Sequence, residues 1–167
     1  FKQHIERKLR ETALETFLIS PPVFRHLRDN PAAIAELTAQ TRLEVYGDYD
    51  RAETFKALAE EGDATGLKGE PVIAAEGDYA DGIVMIRSGL ARLSHRHFHG
   101  HRTVSYVCPG QLYALPEIAE GWQAGQAVPL RYSLRAIGFL TAVVIPTGMV
   151  EKYVLEPSAS GVAGVAR

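Results

Sequence analysis

A single cysteine, Cys108, stands in the whole chain. That excludes a disulfide framework and, with no second thiol, an iron–sulfur site. A lone thiol also fits a reducing compartment, so the chain is read as cytoplasmic. Charge of one sign is lacking too: 18 Lys and Arg face 20 Asp and Glu, and the composition points to no polyanion-binding surface. No apolar run approaches the ~20 residues that span a bilayer, which argues against a membrane class. No signal peptide is visible, because the sequence opens on charged, helix-patterned residues. It also opens on Phe1 rather than Met, and the expectation is a piece of a longer protein. There is no Ser-His-Asp set, no paired-carboxylate signature and no phosphate loop, so the chain is read as non-enzymatic.

What is present is β-sheet punctuation. At 167 residues the chain is long enough for one ordinary domain with a substantial core. Between Glu70 and Gly110, short β-branched runs alternate with turn residues. Val72-Ile73-Ala74 leads to Glu76-Gly77-Asp78. Ile83 to Ile86 leads to Ser88-Gly89, and the alternating runs Leu90–His95 and Thr103–Val107 lead to Pro109-Gly110. Such runs read as antiparallel sheet in a sandwich or barrel. Gly100, between two alternating runs, is the predicted positive-φ residue of a tight hairpin.

Around this centre the pattern is helical and then mixed. Phe1, Ile5, Leu9, Ala13, Leu14, Phe17 and Leu18 lie at helical spacing, and Ser20-Pro21-Pro22 stops the helix. Val23–Leu27 is a short turn-like helix, and Asn30-Pro31 caps another over Ala32–Gln40. Leu43 and Val45 share one face of a strand over Arg42–Tyr46. Ala52, Phe55, Leu58 and Ala59 predict a further helix, and Pro116 opens a short one whose first turn holds Glu117. Glu120–Val128, with the only Trp, reads as loop. Two last strands follow Pro129, then a short helix from Met149, then a small-residue tail. The expected division is a helical segment over 1–41, a sheet domain over 42–146 with an inserted helix at about 50–61, a C-terminal helix over 147–156, and a tail or linker over 157–167. Cys108 is expected to be a buried, inert thiol.

Gly77 in EGD, Gly89 in IRSG, Gly110 in CPG and the run Gly82–Ile86 resemble the turn glycines and strand of cyclic nucleotide-binding domains. The resemblance spans roughly Val23–Val154. It implies a mainly β fold: a jelly-roll (double-stranded β-helix) barrel with N-terminal helices and a short C-terminal helix. It further implies a regulatory or sensor domain whose ligand is a cyclic nucleotide or another small-molecule effector. The partners implied are other domains of a longer chain or a homodimer partner. A DNA-reading helix-turn-helix has no room in the sequence given.

The family's phosphate-binding cassette departs here from its pattern. By resemblance the pocket comprises Leu112, Tyr113, Ala114, Leu115, Glu117, Leu130 and Arg131. The family's Gly-Glu pair falls on Ala114 and Leu115, and its phosphate-binding Arg falls on Leu130. Glu117 and Arg131, slightly displaced, are the candidates to compensate, although a one-residue shift on a strand turns the side chain to the other face. Binding of an ordinary cyclic nucleotide is expected to be atypical or lost.

Ser94-His95-Arg96-His97-Phe98-His99-Gly100-His101 offers a second chemistry. Gly89, five residues, and His-x-His resemble the first half of the cupin motif, which makes His95, His97 and His101 candidate metal ligands on a shared face. Against that, His101 and Arg102 stand where the motif's Glu belongs, and no later His exists to complete a site. A solvent-facing polar hairpin is the competing reading, and a pure protein–protein interaction module is a third reading of the chain.

Overall fold

A computed structural model describes residues 2–47 and 70–159, with the side chains of residues 7–12 set aside. The helix expected at about 50–61 and the tail from residue 160 lie outside the described residues. Six strands form one antiparallel sheet: β1 (Arg42–Tyr46), β2 (Val72–Ala74), β3 (Gly82–His97), β4 (Gly100–Val107), β5 (Leu112–Tyr113) and β6 (Ser133–Pro146). The order is β1-β6-β3-β4, with β2 also paired to β6 and β5 to β3. The architecture is mainly β and fits the jelly roll, but among the described residues the sheet does not close into a barrel.

The long strands β3 and β6 form the spine, paired from Gly82↔Pro146 to Ser94↔Ser133. The sequence reads each as two strands, and the structure joins them. Ser88-Gly89 bends β3 instead of ending it: Gly89 has φ +92°, and a Cβ there would meet the Phe139 carbonyl oxygen at 2.4 Å. Gly138, also at positive φ, lies in the facing bulge of β6. Bulges of this kind curve a sheet without interrupting it.

The core sits at one end of this spine. Ile83, Val84, Met85 and Ile86 are buried on both faces, with Ala142, Val143, Val144 and Ile145 beside them. Burying each large apolar side chain contributes about 1.5–3 kcal/mol. Helices close the layer. α1 (Lys2–Leu18) brings Leu18 to the core while its first residues stay exposed, a 3-10 helix (Pro22–Leu27) brings Phe24 and Leu27, and α2 (Pro31–Gln40) brings Leu37. As its sequence predicts, α2 starts with Pro31 in its first turn, and the Asn30 side chain accepts from the Ala33 amide at 3.1 Å. α3 (Leu115–Ala124) follows β5. The loop expected over Glu120–Val128 is helical to Ala124, because Gly121, lacking a side chain, lets Gln126 return against the helix. After β6 the chain winds through α4 (Thr147–Val150), a π-helical turn (Glu151–Leu155) and α5 (Glu156–Ala159). Lys152 and Tyr153 tie this segment to α2, each donating to the Glu36 carboxylate at 2.8 Å. No described helix is long and apolar enough to cross a membrane.

At the other end of the spine, β3 and β4 run out as a hairpin. Its tip is Phe98-His99, and Phe98 itself carries positive φ (+53°) at 91% exposure. Gly100 does not have the predicted positive φ: it pairs with His97 as the first residue of β4.

Candidate functional site

A cavity of about 300 Å³ opens where β1, β2, β6 and the β5–α3 junction meet. Val84, Val144, Ile73 and Leu130 supply apolar wall, and Tyr113 and Ala114 close one side. Tyr113 donates its hydroxyl to the Tyr132 carbonyl at 2.5 Å. Burial first, then the Glu117 and Glu76 carboxylates, push the Tyr113 pKa well above its ordinary value, so it stays a neutral donor. Ala114 adopts a left-handed conformation, φ +81°, at the N-cap of α3. That conformation is routine for glycine and costly for alanine. The backbone at Ala114 therefore takes a shape that glycine adopts freely, without the glycine.

Leu130 is buried and held by backbone bonds on both sides. Its amide donates to the Asp78 carbonyl at 2.8 Å, and its carbonyl accepts from the Gly77 amide at 2.9 Å. It precedes β6, which begins at Ser133 and not, as the alternation suggests, at Leu130. Leu112 pairs with Met85, and Leu115 is half-buried in the first turn of α3.

Glu117 and Arg131 do not reach this cavity. Arg131 approaches Glu117 at 3.6 Å and donates to the exposed Glu120 carboxylate. The two carboxylates, Glu120 foremost, push the Arg131 pKa further up. Glu117 is buried and borders a separate depression of about 320 Å³ between α3 and α4. The displaced Glu and Arg thus turn to one another, away from Ala114 and Leu130.

The charged groups that line the cavity come from β1 and the β2–β3 loop. Arg42 donates from Nε to Glu44 at 2.7 Å and from Nη2 to Asp81 at 3.3 Å. Tyr46 donates to the other Glu44 oxygen, and burial followed by that bond drives the Tyr46 pKa up. Asp78 stands on the rim. Among the described residues, three carboxylates, Glu44, Asp78 and Asp81, therefore line the cavity with one guanidinium, which is paired with Glu44 and Asp81. Sequence reasoning passed over these residues. Leu43 and Val45 do share a face of β1, but it is the outward one, 54% and 49% exposed. The signal was the alternation itself, with Arg42, Glu44 and Tyr46 on the inner side.

The hairpin histidines are not brought together. His95 and His97 lie on one face of β3, but His101 pairs with Arg96 and so projects from the opposite face. His95 and His97 meet edge to face at 6.3 Å. Among the described residues no three His, Cys, Asp or Glu are placed to hold a metal ion. Cys108 is exposed, not buried, because it sits in the turn after β4 with its amide donating to Gln111.

No family profile matches the sequence, and no curated protein matches it. Solved structures do. The regulatory domain of Toxoplasma gondii protein kinase A with cyclic AMP superposes with a TM-score of 0.66 at 12% identity, over 90% of this chain and 47% of that one. The sensor domain of the transcriptional regulator DNR from Pseudomonas aeruginosa gives 0.64 at 12% identity, over 93% and 86%. The regulatory subunit of a cyclic-AMP-independent protein kinase A from Trypanosoma cruzi, bound to guanosine, gives 0.62 at 13% identity, over 91% and 44%. The chain spans about half the length of the two kinase subunits. Its fold is that of the cyclic nucleotide-binding domain.

Proposed function

We propose that this chain is a non-catalytic regulatory or sensor domain of a longer polypeptide, one whose pocket takes a small molecule without a cyclic phosphate. The observation that carries this reading is the charge of the cavity beside Ala114 and Leu130. Among the described residues three carboxylates line it, the one cation there, Arg42, is committed to two of them, and Arg131 points elsewhere. A phosphate monoanion about 5 Å from an uncompensated carboxylate is repelled by about 3 kcal/mol at an effective dielectric constant of ~20. Such a site favours uncharged or cationic ligands, held by Tyr46, Asp78 and the apolar wall. The guanosine-bound trypanosomal neighbour is a precedent for this fold holding a ligand that carries no phosphate.

Thermal unfolding with cyclic AMP, cyclic GMP, adenosine or guanosine, each at about 0.1 mM, tests the proposal. Stabilisation follows RT ln(1 + [L]/Kd). The expected result is no shift with either cyclic nucleotide and a rise with a nucleoside. A rise of several degrees with a cyclic nucleotide overturns the divergent pocket. Silence from all four favours a domain kept for protein contacts.

A further inference from the structure

The histidine-rich hairpin is left without a role by that reading, and its charge is unusual. From Gly82 to Pro116 the sequence contains no Asp or Glu, yet it holds Arg87, Arg92, Arg96 and Arg102 and the four hairpin histidines. Glu70 neutralises Arg92 with a two-oxygen contact at 3.0 Å. Among the described residues no carboxylate pairs with the guanidinium of Arg96 or Arg102, although the Glu76 carboxylate accepts from the Arg96 backbone amide at 2.8 Å. A chain that is near neutral as a whole therefore concentrates positive charge on one projecting arm.

The arm also has an open edge. Among the described residues β4 pairs with β3 alone and ends the sheet, leaving its outer row of backbone groups unpaired, with a bulge at Val104 that divides the edge into residues 100–103 and 105–107. Nearly all of β4 is exposed, including Val104 (46%) and Tyr106 (50%), and it contains no proline. An open edge of this length is a template for an added strand. Charges on edge strands ordinarily guard against pairing with a copy of the same chain. Here the guard has one sign, so it repels a second copy and admits a partner of opposite charge. The cross-strand register distributes that charge over both faces: Arg96 with His101 on one, His95 with Arg102 on the other. An incoming strand meets a cation whichever way its acidic residues point.

We propose that β4 is a docking edge for an extended acidic segment of another polypeptide, which pairs by backbone hydrogen bonds and is selected by Arg96 and Arg102. Strand addition supplies affinity through the main chain and specificity through alternate side chains. Val104 and Tyr106 offer apolar contact between the charged positions. The proposal is independent of what the cavity binds.

The test uses a soluble twelve-residue peptide of alternating Glu and Thr, its Lys-for-Glu counterpart, and a twelve-residue oligothymidylate. Titration calorimetry reads affinity, and amide hydrogen exchange reads protection along residues 100–107. The Glu peptide is expected to bind and slow exchange in β4, while the Lys peptide does neither. Arg96→Glu with Arg102→Glu is expected to weaken Glu-peptide binding at least about tenfold. The exposed positions of both residues let the fold be checked independently by its melting temperature. Absence of Glu-peptide binding at about 1 mM overturns the proposal. So does oligothymidylate binding equally well without β4 protection, which would make the arm a generic cationic surface. Self-association through β4 at low salt would also overturn it.

Discussion

The two ends of β3 are one strand in two environments. Gly82–Ile86 is buried on both faces, between β6 and β5 and beneath the helices, whereas Arg96 and His97 are exposed beside β4 alone. Both ends are regular strand, so strand formation does not distinguish them. Coverage does. The buried end is where the fold's free energy resides, and the exposed end contributes chiefly a charged edge. A domain built this way can vary its arm without losing its core.

Several substitutions would break or sharpen that contrast. The largest effect belongs to the covered end: Ile86→Ala removes fully buried volume and should cost about 2–5 kcal/mol in urea unfolding. A cost below ~1 kcal/mol would mean that this end is not the core. The bend comes next. Gly89→Ala combines positive φ with a Cβ 2.4 Å from the Phe139 carbonyl oxygen, whereas Gly110→Ala meets nothing within 4 Å. Strain from φ alone is about 1–3 kcal/mol, so Gly89→Ala should exceed that and Gly110→Ala should stay within it. Equal costs would show that the close approach at Gly89 relaxes freely.

Midway along the strand, Glu70→Ala strips the partner from Arg92, whose side chain is only 20% exposed. The expected loss is about 1–3 kcal/mol, the cost of leaving a mostly covered charged group short of its partner. At the far end, His97→Gln with His99→Gln should change stability by less than about 1 kcal/mol, as for exposed sites. Melting temperatures of the two variants compare these directly, and a large loss in the histidine variant would give the arm a packing role.

The subtlest measurement concerns how the covered end is closed. Hydrogen bonds from Lys152, then Tyr153, hold the Glu36 carboxyl below the usual glutamate value. A depressed acid stabilises the fold above its unfolded pKa, about 4.3, and loses that contribution as pH falls through the folded value. In an NMR titration Glu36 should therefore protonate late on acidification, and Lys152→Met should return it toward the ordinary value. An unchanged titration would mean that the tie between α2 and the C-terminal helices is absent in solution.

Much of the fold could be read from the residues, since helix α2 with its Asn30-Pro31 start, strand β1 and the alternating runs follow local rules. The joining of runs into β3 and β6 could not be read. Whether Gly89 ends a strand or bends it depends on Gly138 and Phe139, fifty residues away, and no local pattern encodes that meeting. The cavity was half legible. Resemblance led to Ala114 and Leu130, which do line it, and also to Glu117 and Arg131, which do not. It gave no hint of Arg42, Glu44 and Tyr46, because the apolar members of an alternating strand are ordinarily taken as the inner ones. Here the outer face of a short edge strand carries Leu43 and Val45, and the inner one is polar because it faces a cavity. The hairpin failed for a related reason: His-x-His places two residues on one face, but only the register across the turn decides where a third falls.

The π-helical turn at Glu151–Leu155 has a mechanical consequence. A π turn is an α-helix carrying one residue too many, inserted between two stretches of ordinary winding. Were that residue to slip through, everything beyond it would rotate about 100° around the axis and advance about 1.5 Å. Lys152 and Tyr153, the residues that grip Glu36, lie inside the turn. The direction of α5 is therefore set like the hand of a dial, with the winding held by the Glu36 carboxylate on α2 together with the buried Val150 and Leu155.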